Sequence, residues 1–205
     1  MPKLALFCEG KRDAKFYEFL LKKDQNTALL PMDELQRKVN LQEPTVAIVD
    51  CEGVSKLYDM VTRFSRQLLA ISRPIPIMVV IDEDRMSINE LSERIKNFYL
   101  TPSKAHNIIP HVDVTGQSIS VADKKSQNSV KILVGATPVN LETQIAKVLK
   151  EKFLIDVTLS PKEVIHLTAI REFNGNEEEL IKFVVDDLAH EVWLSEIVRM
   201  VGELV

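Results

Sequence analysis

Apolar runs of strand length alternate with amphipathic stretches of helical period through the first hundred residues. "KLALFCEG" is an apolar run stopped by Glu9 and Gly10, followed by "KRDAKFYEFLLKKD", where Phe16/Leu20 and Tyr17/Leu21 recur at helical spacing. "PTVAIVDCEG" repeats the pattern, with Val46 to Val49 apolar and then Asp50, Glu52 and Gly53. A second helical period follows through Val54, Leu57, Val61, Phe64 and Leu68. The third strand is expected over Ile75 to Ile81, ending in Asp82, Glu83 and Asp84. Its helix is expected after Ser87, which with Glu90 has the spacing of a capping box, and Leu91, Ile95 and Phe98 continue the apolar face. Three strand–helix units in succession predict an α/β fold with a mostly parallel, Rossmann-like sheet flanked by helices.

The second half is less regular. "NIIPHVDVTG" and "VKILVGATP" each have strand character, and the polar "GQSISVADKKSQNS" between them reads as a loop or hairpin. Three helical patterns are expected to close the chain: one near Asn140, one capped by Ser160 with Pro161 and Glu163, and one from about Glu177. The expected organisation is an α/β core over residues 1–110 and a C-terminal extension of strands then helices over 111–205, packed on the core.

Composition excludes several classes. The chain is 45% hydrophobic and 27% charged with only 6 Gly and 9 Pro, so it is long and apolar enough for a well-buried domain. No apolar run approaches the roughly 20 residues of a membrane span, and the N-terminal apolar stretch is too short for a signal peptide. Cys8 and Cys51 both sit in apolar runs, which suits reduced core thiols and a cytoplasmic protein. His106, His111, His166 and His190 lack the spacing of a zinc site. From Glu172 onward nine acids face only Lys182 and Arg199, a balance of −7 within a total of −4, so residues 1–171 carry +3. A mildly basic body permits an anionic partner.

Ligands collect at the carboxyl ends of parallel strands, and here those ends carry acids. Asp82 and Asp84 alternate to the same side of an extended chain, about 6.5 Å apart, while Glu83 points away. Glu9 at the end of the first strand would complete an oxygen-rich cluster, self-repelling unless a hard cation such as Mg²⁺ or Mn²⁺ neutralises it. Acids at strand ends also serve as caps and solvated turns. Asp50 and Glu52 occupy the same kind of position without evident purpose.

The residues also carry a resemblance. "LALFCEGKRDAKFYEFLL" resembles the opening Glu-Gly motif of the TOPRIM domain, "MVVIDEDR" its Asp-x-Asp motif, and "VAIVDCEGVSKL" the segment between, together spanning residues 3–100. The resemblance implies Mg²⁺- or Mn²⁺-dependent phosphodiester chemistry on nucleic acid, with Glu9, Asp82 and Asp84 as catalytic acids. Asp13 matches a further acid of the nuclease subset. The absence of Gly after "DEDR" departs from primases and a ribosomal RNA maturase. Tyr17, Tyr58 and Tyr99 lie in helical patterns and leave no topoisomerase nucleophile. What remains is similar to the OLD-family nucleases and small stand-alone TOPRIM proteins, in which a Leu-Glu pair opens a later helix, as Leu141-Glu142 does here.

The implied metal set is Glu9, Asp13, Asp82, Asp84 and Glu142, with Glu9 alternatively a general base. Gly10, Lys11, Arg12 and Arg85 are placed to meet phosphate, and Lys124, Lys125 and Lys131 suit backbone contact. The expected partners are DNA or RNA and an ATPase in trans. The apolar face of the C-terminal helices is available for packing on the body or for a homodimer. The alternatives are a non-catalytic TOPRIM module that binds nucleic acid or protein, and a primase-like nucleotidyl transferase.

Overall fold

The computed structural model describes residues 2–38, 44–70, 74–83, 87–100, 110–123 and 128–205. The first half runs β1 (Leu4–Cys8), α1 (Lys11–Leu21), β2 (Thr27–Leu29), α2 (Met32–Lys38), β3 (Val46–Asp50), α3 (Val54–Leu69), β4 (Ile77–Asp82) and α4 (Ile88–Leu100). The second runs β5 (Pro110–Thr115), β6 (Ser118–Asp123), β7 (Ser129–Thr137), α5 (Leu141–Phe153), α6 (Pro161–Glu172), α7 (Glu177–Leu188) and α8 (Val192–Leu204). The strands form one sheet in the order β2-β3-β1-β4-β7-β6-β5. β2, β3, β1, β4 and β7 are mutually parallel, and β6 is antiparallel to both neighbours. This is the mostly parallel, Rossmann-like α/β architecture expected from the pattern.

Alternation along each strand separates two cores. On β1, Leu4, Leu6 and Cys8 face a layer made of α1 and α5 to α8, while Ala5 and Phe7 face α3 and its neighbours. Strand residues on both faces are apolar because both faces are covered. Phe7 meets Phe64 of α3 with ring centroids 5.7 Å apart. Gly135 lets α8 lie close on β7, since a Cβ there would stand 3.1 Å from Ile197 and from Met78.

The sheet continues past residue 110. β7 is hydrogen-bonded to β4 along six residue pairs, from Ile77↔Ile132 to Asp82↔Thr137. Within the segment expected as a loop or hairpin, Ser118–Asp123 forms β6, the second arm of a hairpin reached from β5 by a turn with Gly116 at φ 58°. Three further expectations are corrected. β2 and α2 went unrecognised, so the strand bearing Asp82 is the fourth. That strand begins at Ile77 rather than Ile75, because Pro76 has no N–H to give the ladder, although its carbonyl accepts from Ala5. The helical pattern from Glu177 is two helices, α7 and α8, parted at His190 and Glu191. The capping boxes at Ser87/Glu90 and Ser160/Glu163 are present. Among the described residues no helix is long and apolar enough to cross a membrane.

Candidate functional site

Four adjacent parallel strands, β3, β1, β4 and β7, end on one edge of the sheet, and each delivers a residue to the same cavity. Glu9 and Gly10 follow β1, Gly53 follows β3, Asp82 closes β4, and Glu142 stands in the first turn of the helix after β7. With Lys11, Arg12 and Asp13 of α1 they line a cavity of about 200 Å³. The chain passes from β1 outward to β2 and β3 on one side and returns to β4 on the other. Glu9 and Asp82 therefore flank the switch point where ligands of open α/β sheets collect.

Local chemistry fixes each piece. β1 stops where Gly10, in extended backbone, allows α1 to begin at Lys11. Asp13 then reaches back three residues, and its Oδ2 accepts the Gly10 N–H at 3.0 Å. The β3–α3 turn is drawn onto Glu9 by the Gly53 N–H, which donates to the Glu9 carbonyl at 2.6 Å. That contact needs Gly53 at φ 120° and ψ 159°, a backbone region in which only glycine is unstrained. Asp82 is 7% exposed and lies opposite Thr137 in the β4–β7 register, while Glu83 beside it is exposed. Glu142 is set by the N-cap of α5, where the Asn140 side chain accepts the Thr143 N–H at 2.9 Å.

Four carboxylates on one cavity act on each other. Burial first, then the charges of Asp82, Glu142 and Glu9, push the Asp13 carboxyl up to about 7, against the smaller opposing pull of the Gly10 N–H. Arg12 offsets part of this charge. Its Nη1 donates to Glu142 Oε1 at 2.8 Å and its Nε to Glu177 Oε1 at 2.7 Å, so one guanidinium ties α1 to α5 and α7. Both carboxylates raise its already high pKa over the opposing effect of burial.

The cavity thus brings together Glu9, Gly10, Lys11, Arg12, Asp13, Asp82 and Glu142 of the expected residues. Asp84 and Arg85 lie outside the described residues, as do the loop lysines Lys124 and Lys125 and His106. Lys131 is exposed on β7, at the sheet rather than in a loop. Two residues that matter here were not singled out for this role, Gly53 as a lining residue and Glu177 as a partner of Arg12. Asp50 and Glu52 separate from the site. The Asp50 carboxylate accepts the Glu52 N–H at 2.8 Å in an Asx turn, and Glu52 pairs with Lys56. Cys8 and Cys51 are free and buried, and burial pushes both thiols up, Cys51 to about 12, so neither is poised as a nucleophile. Tyr17 is buried with its hydroxyl 3.3 Å from Thr137 Oγ1, and Tyr58 is stacked under Arg94 at 3.9 Å.

The donor set is all oxygen, which suits a hard cation such as Mg²⁺ or Mn²⁺. Among the described residues no three acids converge on one point, so the acids line the cavity without already forming a cage. No family model, curated protein or solved structure matches the chain.

Proposed function

We propose that this chain is a TOPRIM-like enzyme that hydrolyses phosphodiester bonds of nucleic acid with the help of Mg²⁺ or Mn²⁺. The observation that carries the proposal is the edge of acids at the switch point. Glu9, Asp13, Asp82 and Glu142 arrive from separate elements at one cavity, where burial and then the neighbouring charges hold Asp13 up to about 7.

Glu9, Asp82 and Asp13 are the described residues that would hold the cation, and the TOPRIM resemblance adds Asp84. A bound Mg²⁺ supplies a more acidic water and a positive charge against the reacting phosphate. The remaining work belongs to this chain's own groups. The first turn of α1 presents backbone N–H groups and the positive end of its dipole to the cavity, a ready seat for a phosphate oxygen. Lys11 is exposed on that turn and adds a mobile cation. Arg12 is committed to Glu142 and Glu177, so it orients those carboxylates and holds the cavity wall. Glu9, anchored through its carbonyl by Gly53, would, if it does not hold the cation, take a proton from a water attacking the phosphorus.

Calorimetric titration of Mn²⁺ into EDTA-treated protein tests this reading. Saturable binding is expected for the wild type and for Glu83→Gln, and its loss for Asp82→Asn. Equal binding by Asp82→Asn, or none by the wild type, removes the basis for the site. Metal binding without cleavage of labelled DNA or RNA would leave a binding module in its place.

A further inference from the structure

Two cavities continue from the acidic cavity along the seam between α1 and α7. The nearer, about 300 Å³, is lined by Lys11, Arg12, Lys15, Glu177, Glu178 and Ile181, and so shares Lys11 and Arg12 with the site. The farther, about 340 Å³, is lined by Phe19, Lys22, Lys23, Lys182, Val185 and Asp186. Lining residues pass from one to the next by single helical turns, Lys15 to Phe19 on α1 and Ile181 to Val185 on α7. The two cavities therefore form one trough, about 18 Å long at the rise of an α-helix. Ile181 and Val185 at its floor are buried, its α1 wall is cationic, and α7 contributes Lys182 beside Glu177, Glu178 and Asp186.

The charges are unevenly spent. Six cations line the trough against Glu177, Glu178 and Asp186. Arg12, Lys15 and Lys23 are paired with those three acids, Arg12 also with Glu142 and Lys15 also with Glu18. Lys11, Lys22 and Lys182 have no ion pair among the described residues, and all three are exposed. Lys11, Lys15 and Lys22 recur four and seven residues apart, which places them along one stripe of α1. Glu178, 56% exposed, and Asp186, 73% exposed, are held only at the surface, where such pairs contribute little and yield to a competing anion.

We propose that the α1/α7 trough is the track along which a single strand of nucleic acid reaches the acidic cavity, its phosphates meeting Lys11, Lys15, Lys22 and Lys182. The inference rests on the nuclease reading for its direction but not for its binding. A periodic polyanion matches a linear stripe of cations. A single strand presents one row of phosphates, which matches the one stripe of lysines on α1. Glu178 and Asp186 occupy phosphate positions in the unbound protein and are displaced when the strand binds.

The test is a salt series with a short labelled oligothymidylate in EDTA, where no metal-dependent cleavage intervenes. Four phosphate contacts predict a slope of about −3 in log affinity against log salt, a loss of about 50-fold between roughly 50 and 200 mM. Lys22→Gln with Lys182→Gln should halve the slope and reduce that loss to about sevenfold. Glu178→Gln with Asp186→Asn should bind several-fold more tightly than the wild type. A slope unchanged by the lysine substitutions overturns the proposal, as does tighter binding of polyglutamate, which would mark the trough as a seat for an acidic protein segment. If Asp82→Asn cleaves normally while the lysine variant loses oligonucleotide binding, the trough stands and the active-site reading falls. Normal oligonucleotide binding by the lysine variant beside a dead Asp82→Asn gives the reverse.

Discussion

Asp82→Asn should lower the rate of metal-dependent phosphodiester cleavage by about 10³-fold or more, the equivalent of roughly 4 kcal/mol of barrier. Asparagine keeps the shape and can still accept hydrogen bonds, so what is lost is the negative charge at the end of β4. Of the charges that raise Asp13, that of Asp82 acts most strongly, so its neutralisation relieves repulsion in the metal-free protein. The variant should unfold at the same denaturant concentration as the wild type or higher, at pH 8 in EDTA. Glu83→Gln is the matched control, since Glu83 is exposed and outside the cavity. Near-wild-type cleavage by Asp82→Asn, or an equal loss in Glu83→Gln, contradicts the assignment.

The second large effect concerns stability. The Asp13 carboxyl sits at about 7 in the folded protein against an ordinary 3.8. Between these values the folded state binds more protons than the unfolded chain, so this group makes stability fall as pH rises. Below about pH 4 both states are protonated and the contribution vanishes. Above pH 7 both are ionised and the full penalty is present, on the order of 2–4 kcal/mol after allowance for partial exposure. Asp13→Asn should match the wild type near pH 4 and exceed its stability at pH 8 by that amount, measured by urea unfolding in EDTA. Saturating Mg²⁺ should shrink or reverse the difference, because a cation stabilises the ionised carboxylate that the variant lacks. A difference that does not change with pH would show that neither burial nor the neighbouring acids raise Asp13.

The parts of the fold that were legible in the sequence are those whose hydrophobic period is long and uninterrupted. β1, β3 and β4 are apolar on both faces, and α1 and α3 carry stripes of four or more buried residues. β2 is only three residues long, with one buried, and α2 carries more polar than apolar residues, too little periodicity to register. The break between α7 and α8 has no glycine or proline to announce it, and the Glu191 N-cap makes no side-chain bond. In the site, Glu9 and Asp82 stood out because acids interrupt apolar strands. Glu142 joins them only because β7 lies against β4, a pairing across more than fifty residues that no local pattern encodes. Asp50-x-Glu52 and Asp82-x-Asp84 are alike as sequence. The difference is three-dimensional, since Asp50 closes its own turn while Asp82 is buried at the cavity. The double commitment of Arg12 likewise depends on how α5 and α7 pack on α1.

The central claim is that the acids at the β1 and β4 ends share a cation. Crystals grown with Mn²⁺ and measured at its absorption edge test it directly. The account predicts an anomalous peak inside the cavity, with carboxylate oxygens of Glu9 and Asp82 at about 2.1–2.2 Å and Asp13 or Asp84 completing the shell. A cavity without such a peak at saturating Mn²⁺, or a peak bound only by residues elsewhere on the molecule, would contradict it.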